Sequence, residues 1–469
     1  MRIEEPIIGF VKYAESYFPF VYKEGILQLI PPTVETWRDE RDKIFDEFKE
    51  WVRSINEDNW IGVSYICGTT NSGYNIAFHV RNDSSNNNGV VAYQVNYYFV
   101  YHKEYLNIDK IQGFSISGRE IDYFYEPARV FSMYRNKNGS FPQIEVEHNE
   151  KKASKYTYKD TEITVVLDAN ATFHTKSEIP VTAKSYMDFC FSKPRDLEYL
   201  LEVFFHCKKF FYYVCKRTNI QLDDINVYGI RGEKKSVEGI VKICSCGDDA
   251  ETNEKAAKNV IKYEFLNEKM GNLFQSVADE NMYFEHLCPS AEARNSYKMD
   301  RVILNFVAFE REYSNLYNLE IERSEEYMQV RDEIIATLEV LKKNHSGKKK
   351  KYVNEFLRSF SKAEIKYGDR MNKALRDCED VLLPFLQYTY SNYTSDTIDE
   401  VCERMNKLRN DVVHGNMRLE VEPIHLRDFA TLENLLYAMR LKNLGVSKTN
   451  IQKAIRELKD YHILIKEEL

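Results

Sequence analysis

The feature that most constrains the fold is a change of hydrophobic period near the middle of the chain. Before about residue 246, apolar residues fall in short runs rich in β-branched and aromatic side chains; after about 255 they recur at steps of three and four. The runs Ile61 to Cys67, Tyr74 to Val80 and Val90 to Tyr101 read as antiparallel strands, with Asn82 to Gly89 as a polar turn between the last two. Gln143 to Val146, Thr161 to Leu167, Ala171 to Thr175, Ile225 to Ile230 and Gly239 to Cys244 add further strands, with a turn at Asn138-Gly139. Two helices belong to this half: one from Thr33 to about Ile55, and an aromatic-rich one from Pro194 to Lys216, whose face suggests packing on a sheet. A single switch of period, without strand and helix alternating, predicts an α+β chain: a β-rich N-terminal domain followed by an all-α helical bundle.

The second half predicts about five helices. The first runs through Met299, Phe306, Phe309 and Leu316 and continues, after a break, to Leu341; the next spans Ile365 to Phe385. A helix ending near Gly415, one from His425 to Leu441 and one from Thr449 to about Ile463 complete the set. The expected division is 1–250 for the β-rich domain, 251–297 for a helical linker and 298–469 for the bundle.

With 469 residues, 43% hydrophobic and 29% charged, the chain has the balance of a folded protein with two or three cores. A net charge of −8 argues against a surface coated in positive charge for nonspecific nucleic-acid binding. Local basic sites remain open, and Lys348, Lys349, Lys350 and Lys351 form the one conspicuous run, read as a loop between helices that either is simply solvated or steers RNA phosphates. The early acidic residues Glu4 and Glu5, and the lack of any long apolar segment, predict a cytoplasmic protein without membrane contact. Nine cysteines, mostly among apolar neighbours such as Ile66-Cys67, predict reduced, buried thiols. Cys244, Cys246, His286 and Cys288 are the only metal-ligand grouping of note, and their spacings are too tight for a usual zinc site. No metal or cofactor is expected.

The chemistry concentrates in Arg409-Asn410-Asp411-Val412-Val413-His414-Gly415. Ile398, Val401, Met405, Leu408 and Val412 give this helix one core-facing stripe. At about 100° per residue, Asn410 and His414 lie nearly opposite the stripe and Arg409 on its flank. Their polar groups therefore face solvent, a ligand or a second chain. A helix C-terminus favours the imidazolium form of His414. An Arg five residues before a His is weak by itself, and a surface helix end with no role accounts for it equally well.

The spacing Arg409-Asn410-xxx-His414 resembles the R-x4-6-H signature of HEPN domains, and Phe306 to Arg311 resembles the first-helix pattern of the ApeA-like subgroup. The resemblance implies an HEPN-like helical nuclease domain behind a regulatory or sensor domain, acting as an RNA-cleaving effector of antiphage defence by abortive infection. It implies an RNA substrate, a homodimer formed through the HEPN domain, a phage-derived trigger, and a site of Arg409, Asn410, His414 and Glu310. Cleavage by a 2′-hydroxyl attacking its own phosphate needs a base, an acid and positive charge, which His414, its copy and Arg409 can supply without a metal. The competing expectations are a noncatalytic dimeric RNA-binding scaffold with a degenerate HEPN domain, and a nucleotide-binding sensor.

Overall fold

A computed structural model describes residues 4–13, 16–30, 63–87, 90–134, 143–146, 150–174, 179, 181–231, 234–244, 251–317, 325–361, 366–413 and 422–465. The expected helix at 33–55 and the turn at Asn138-Gly139 lie outside these residues. The chain divides into two compact units, residues 1–280 with 287–293, and residues 281–286 with 294–469.

The first unit is built on antiparallel pairing. Strands β1 (Ile7–Tyr13), β2 (Ser16–Lys23), β3 (Ile26–Leu29), β4 (Val63–Thr70), β5 (Asn75–Asn87) and β6 (Val90–Tyr101) pair in the order β6-β3-β2-β1-β4-β5, and β5 pairs again with β6. The six strands therefore close into a barrel. Its interior is the apolar side of each strand, among them Val11, Phe20, Leu27, Ile66, Phe78 and Val100. Closure between β1 and β4 depends on Gly9 and Gly68, where a Cβ would overlap the Thr69 and Phe10 carbonyls.

Strand β6 belongs to two sheets. One edge runs along β5; the other pairs with β3 through residues 91–94 and with β14 (Lys234–Ile243) through residues 97–101. From there an open sheet continues through β13 (Ile225–Arg231), β7 (Ile111–Ser117), β12 (Val181–Arg195), β11 (Thr161–Phe173) and β10 (Lys152–Tyr158). A separate hairpin joins β8 (Phe131–Tyr134) to β9 (Gln143–Val146).

Several expectations change here. The polar run from Asn82 is not a turn up to Asn87: β5 bulges and then pairs Ser84 to Asn87 with β6, because ladder hydrogen bonds do not require apolar side chains. Thr161–Phe173 is one long strand, β11, rather than two, and Thr175 lies outside the described residues. Cys67 is exposed because strand alternation turns Ile66 inward.

One helical layer covers the open sheet. Helix α1 (Arg119–Phe124) precedes α2 (Leu197–Cys215), which starts at an Asp196 cap accepting from the Tyr199 amide at 2.9 Å. Short helices α3 (Glu254–Ala257) and α4 (Tyr263–Leu266) lead to α5 (Met270–Ala278). The Phe274 ring of α5 stacks on Phe210 at 4.3 Å and on Tyr156 at 5.3 Å. Residues 251–280 are thus core of the sheet unit and not a linker. Residues 287–293 return to it, with Ala291 N donating to a buried Glu251 carboxylate at 2.6 Å.

Among the described residues the second unit has eight helices: α6 (Met299–Leu316), α7 (Glu325–Asn344), α8 (Gly347–Ser361), α9 (Tyr367–Asp377), α10 (Glu379–Thr389), α11 (Asp396–Val413), α12 (Pro423–Asn443) and α13 (Lys448–Lys459). The expected helix over Ile365 to Phe385 is two helices meeting at Cys378, whose backbone leaves helical geometry after the poor helix former Asp377. Lys348 to Lys351 form the first turn of α8 and not a loop, consistent with the good helix propensity of lysine. Helix α12 is buried nearly all round from Asp428 to Leu441. Its buried charges are paired: Asp428 with Arg404, Glu433 with Arg301 and Lys459, and Arg440 with Glu312.

Candidate active site

Helix α11 presents the motif. Ile398, Val401, Met405 and Leu408 are buried as the periodicity requires, Val412 is half-buried, Asn410 is exposed, and Arg409 is half-buried at the flank. Two contacts orient α11. On α12, Asp428 accepts from Arg404 Nε at 2.8 Å and Nη2 at 2.9 Å, and from the Tyr390 hydroxyl at 2.7 Å. On α9, the absence of a side chain at Gly368 lets the two helices approach, and the Gly368 amide donates to Asn406 Oδ1 at 3.2 Å.

The structure brings Arg409 and Glu310 together. Arg409 Nη2 lies 3.2 Å from Glu310 Oε1 on α6, and its Nη1 lies 3.4 Å from Asn410 Oδ1. About a third of each ion-pair side chain is solvent-exposed, 30% for Arg409 and 36% for Glu310. A pair this exposed adds at most about 1 kcal/mol, so Arg409 can exchange the carboxylate for another anion at little cost. Asn410 is thereby held beside the same guanidinium. His414 lies outside the described residues. Lys348 to Lys351 sit together on α8, apart from the helices that carry Arg409 and Glu310, and among the described residues none of them pairs with either.

One residue of this neighbourhood was not singled out from sequence. Tyr367, the first residue of α9, is buried with its ring edge-on to Phe306 at 5.5 Å and Phe309 at 5.2 Å. Its hydroxyl has no hydrogen-bond partner. Burial holds the phenol well above its ordinary pKa, the Glu310 charge adds to this, and the Arg409 charge opposes it. The sequence signal was its place four residues before Met371, in the apolar row of α9. That row marks a core tyrosine but does not reveal which charges it meets.

The zinc grouping does not assemble among the described residues. Cys244 hydrogen-bonds the Tyr22 hydroxyl at 3.0 Å, Cys246 lies outside the described residues, and His286 and Cys288 fall in different units. Among the described residues no cluster of His, Cys, Asp and Glu is placed to hold a metal, and the eight described cysteines form no disulfide. Nor is any described helix long and apolar enough to cross a membrane. No family model, curated protein or solved structure matches this chain.

Proposed function

We propose that this chain is an HEPN-type endoribonuclease, similar to the ApeA-like subgroup, that cleaves RNA through attack of a 2′-hydroxyl on the adjacent phosphate. The observation that supports this most is the weakly held Arg409 guanidinium beside Glu310 and Asn410, on the polar flank of a helix whose next residue beyond Val413 is His414. Arg409 leaves Glu310 to clamp the scissile phosphate, and its charge stabilises the negative charge that develops there. Glu310 and Asn410 aim the guanidinium. His414 serves as base or acid and its copy in a second chain as the other, giving a composite two-fold site. These roles use no metal. Because the nucleophile is the 2′-hydroxyl, matched DNA is not a substrate.

In this reading the protein acts in the cytoplasm as an antiphage effector, and the β-rich unit restrains it until a phage-derived trigger arrives. The test is incubation of the full chain with total RNA and matched DNA in chelator, comparing wild type with Arg409→Ala and His414→Ala. The expected result is cutting of RNA alone, leaving cyclic phosphate ends, with each variant about 100-fold or more slower and folded. Equal cutting by the His414→Ala chain overturns the proposal.

A further inference from the structure

In the helical unit the buried or half-buried arginines Arg301, Arg376, Arg404, Arg409 and Arg440 each face a carboxylate on another helix. Arg370 on α9 does not. It is half-buried, its Nε is buried without a hydrogen-bond partner, and no carboxylate among the described residues lies within ion-pair distance of it. Drawing a guanidinium partly out of water without a counter-charge costs free energy, which an incoming anion offsets. The planar fork of an arginine suits a phosphate.

The place of Arg370 connects it to the candidate site. It lies one helical turn beyond Tyr367, whose phenol feels the charges of both Glu310 and Arg409. Because it comes one residue before the buried Met371, it sits on the flank of α9. That flank faces α6: the Arg370 charge acts on Tyr313, which is fully buried with its hydroxyl unpartnered. One turn further, Lys373 precedes the buried Ala374 in the same way. Its Nζ stands 5.9 Å from the centroid of the Tyr317 ring, which stacks on Tyr313 at 4.6 Å. Lys373 also has no ion pair among the described residues. Asp377, whose charge reaches Tyr313 and Tyr317, closes the row. From Arg409 onward, the seam between α6 and α9 therefore carries two unneutralised cations beside a row of tyrosines, about 4.5 Å apart along the helix axis.

We propose that Arg370 and Lys373 form a phosphate track for a single strand of RNA entering the Arg409 site, Arg370 holding the phosphate next to the scissile one and Lys373 the one beyond. The identity of the strand rests on the ribonuclease reading. Successive cations along one seam fit a ligand whose charges repeat, as a nucleic-acid backbone does, better than they fit one small anion. Phosphate contacts set register without reading bases, so the track positions any sequence. It leaves the chemistry to Arg409 and His414.

The test is binding of the full chain to a fluorescein-labelled single-stranded RNA oligonucleotide with 2′-O-methyl groups, which keeps its phosphates and has no free 2′-hydroxyl to attack. Fluorescence anisotropy is read across a salt series. Arg370→Gln and Lys373→Gln are each expected to bind about tenfold more weakly. Each also flattens the slope of log affinity against log salt by about 0.7, the share of one phosphate contact on a single strand. Arg370→Lys keeps the slope and loses the forked hydrogen bonds. Unchanged circular dichroism melting shows that the variants are folded. Wild-type affinity in both glutamine variants overturns the proposal, as does weaker binding at an unchanged slope, which marks a packing defect. Absence of oligonucleotide binding by the wild-type chain overturns it too. Weaker binding and flatter slopes in the variants, without RNA cutting by wild type, keep the track and remove the nuclease. Cutting by wild type with unaltered binding in both variants removes the track and keeps the nuclease.

Discussion

A buried hydroxyl without a partner costs about 1–3 kcal/mol, and Tyr367 carries such a group at the meeting of α6, α9 and α11. Tyr367→Phe keeps the ring contacts with Phe306 and Phe309 and removes the unsatisfied oxygen. It is expected to raise stability by about 1 kcal/mol in urea unfolding; a loss of that size would mean the phenol is satisfied by an ordered water. Glu310 is the opposite case. Its pair with Arg409 is partly solvated, so Glu310→Gln is expected to shift stability by less than about 0.5 kcal/mol and, under the proposed ribonuclease reading, to slow RNA cleavage through loss of Arg409 positioning. Restoration of the rate in Glu310→Asp distinguishes positioning from a simple packing role.

Elements held by buried charge are more sensitive than the exposed pair. Asp428 anchors α11 to α12 through Arg404 and also receives the Tyr390 hydroxyl, so Asp428→Ala strands two donors. It is expected to cost about 3 kcal/mol, measured by the shift of the urea midpoint at unchanged slope. This contact also shows where sequence reading stops. The stripe on α11 was legible because every member is apolar and correctly spaced, as were β6, β9, β13 and the body of α2. Strands β7, β10 and β12 were not, because polar and apolar residues mix along them, whereas β1 and β2 are apolar and aromatic runs joined as a local hairpin, a strand signal that the reading passed over. Barrel closure depends on Gly9 and Gly68, whose role follows from a neighbouring strand rather than from local pattern. At the candidate site, the flank position of Arg409 followed from helical rotation alone. Its pairing with Glu310, 99 residues earlier, follows from packing of α6 near α11, for which periodicity supplies no register.

At the scale of the whole molecule, the sheet unit carries a built-in sensitivity to acid. His79 on β5 and His206 on α2 both belong to the sheet unit. Burial lowers each to about 4, with Lys209 adding to the effect at His206. The His79 ring stacks on Tyr97 at 4.2 Å, and His206 stands edge-on to Tyr158 at 4.4 Å with its Nδ1 buried and unbonded. A histidine whose folded pKa is depressed contributes stability that is fully present above its unfolded value near 6.5. As pH falls below that value the unfolded chain takes up a proton that the folded chain refuses, and stability declines until the folded ring also protonates near 4. For the buried His206 the slope is about 1.4 kcal/mol per pH unit across this window. Hydrogen exchange on the full chain, corrected for intrinsic rate, is therefore expected to show protection in α2 and β5 falling between pH 6.5 and 4.5. In His206→Gln the α2 loss flattens, because the amide does not titrate. An unchanged slope in that variant would place the acid sensitivity elsewhere in the sheet unit.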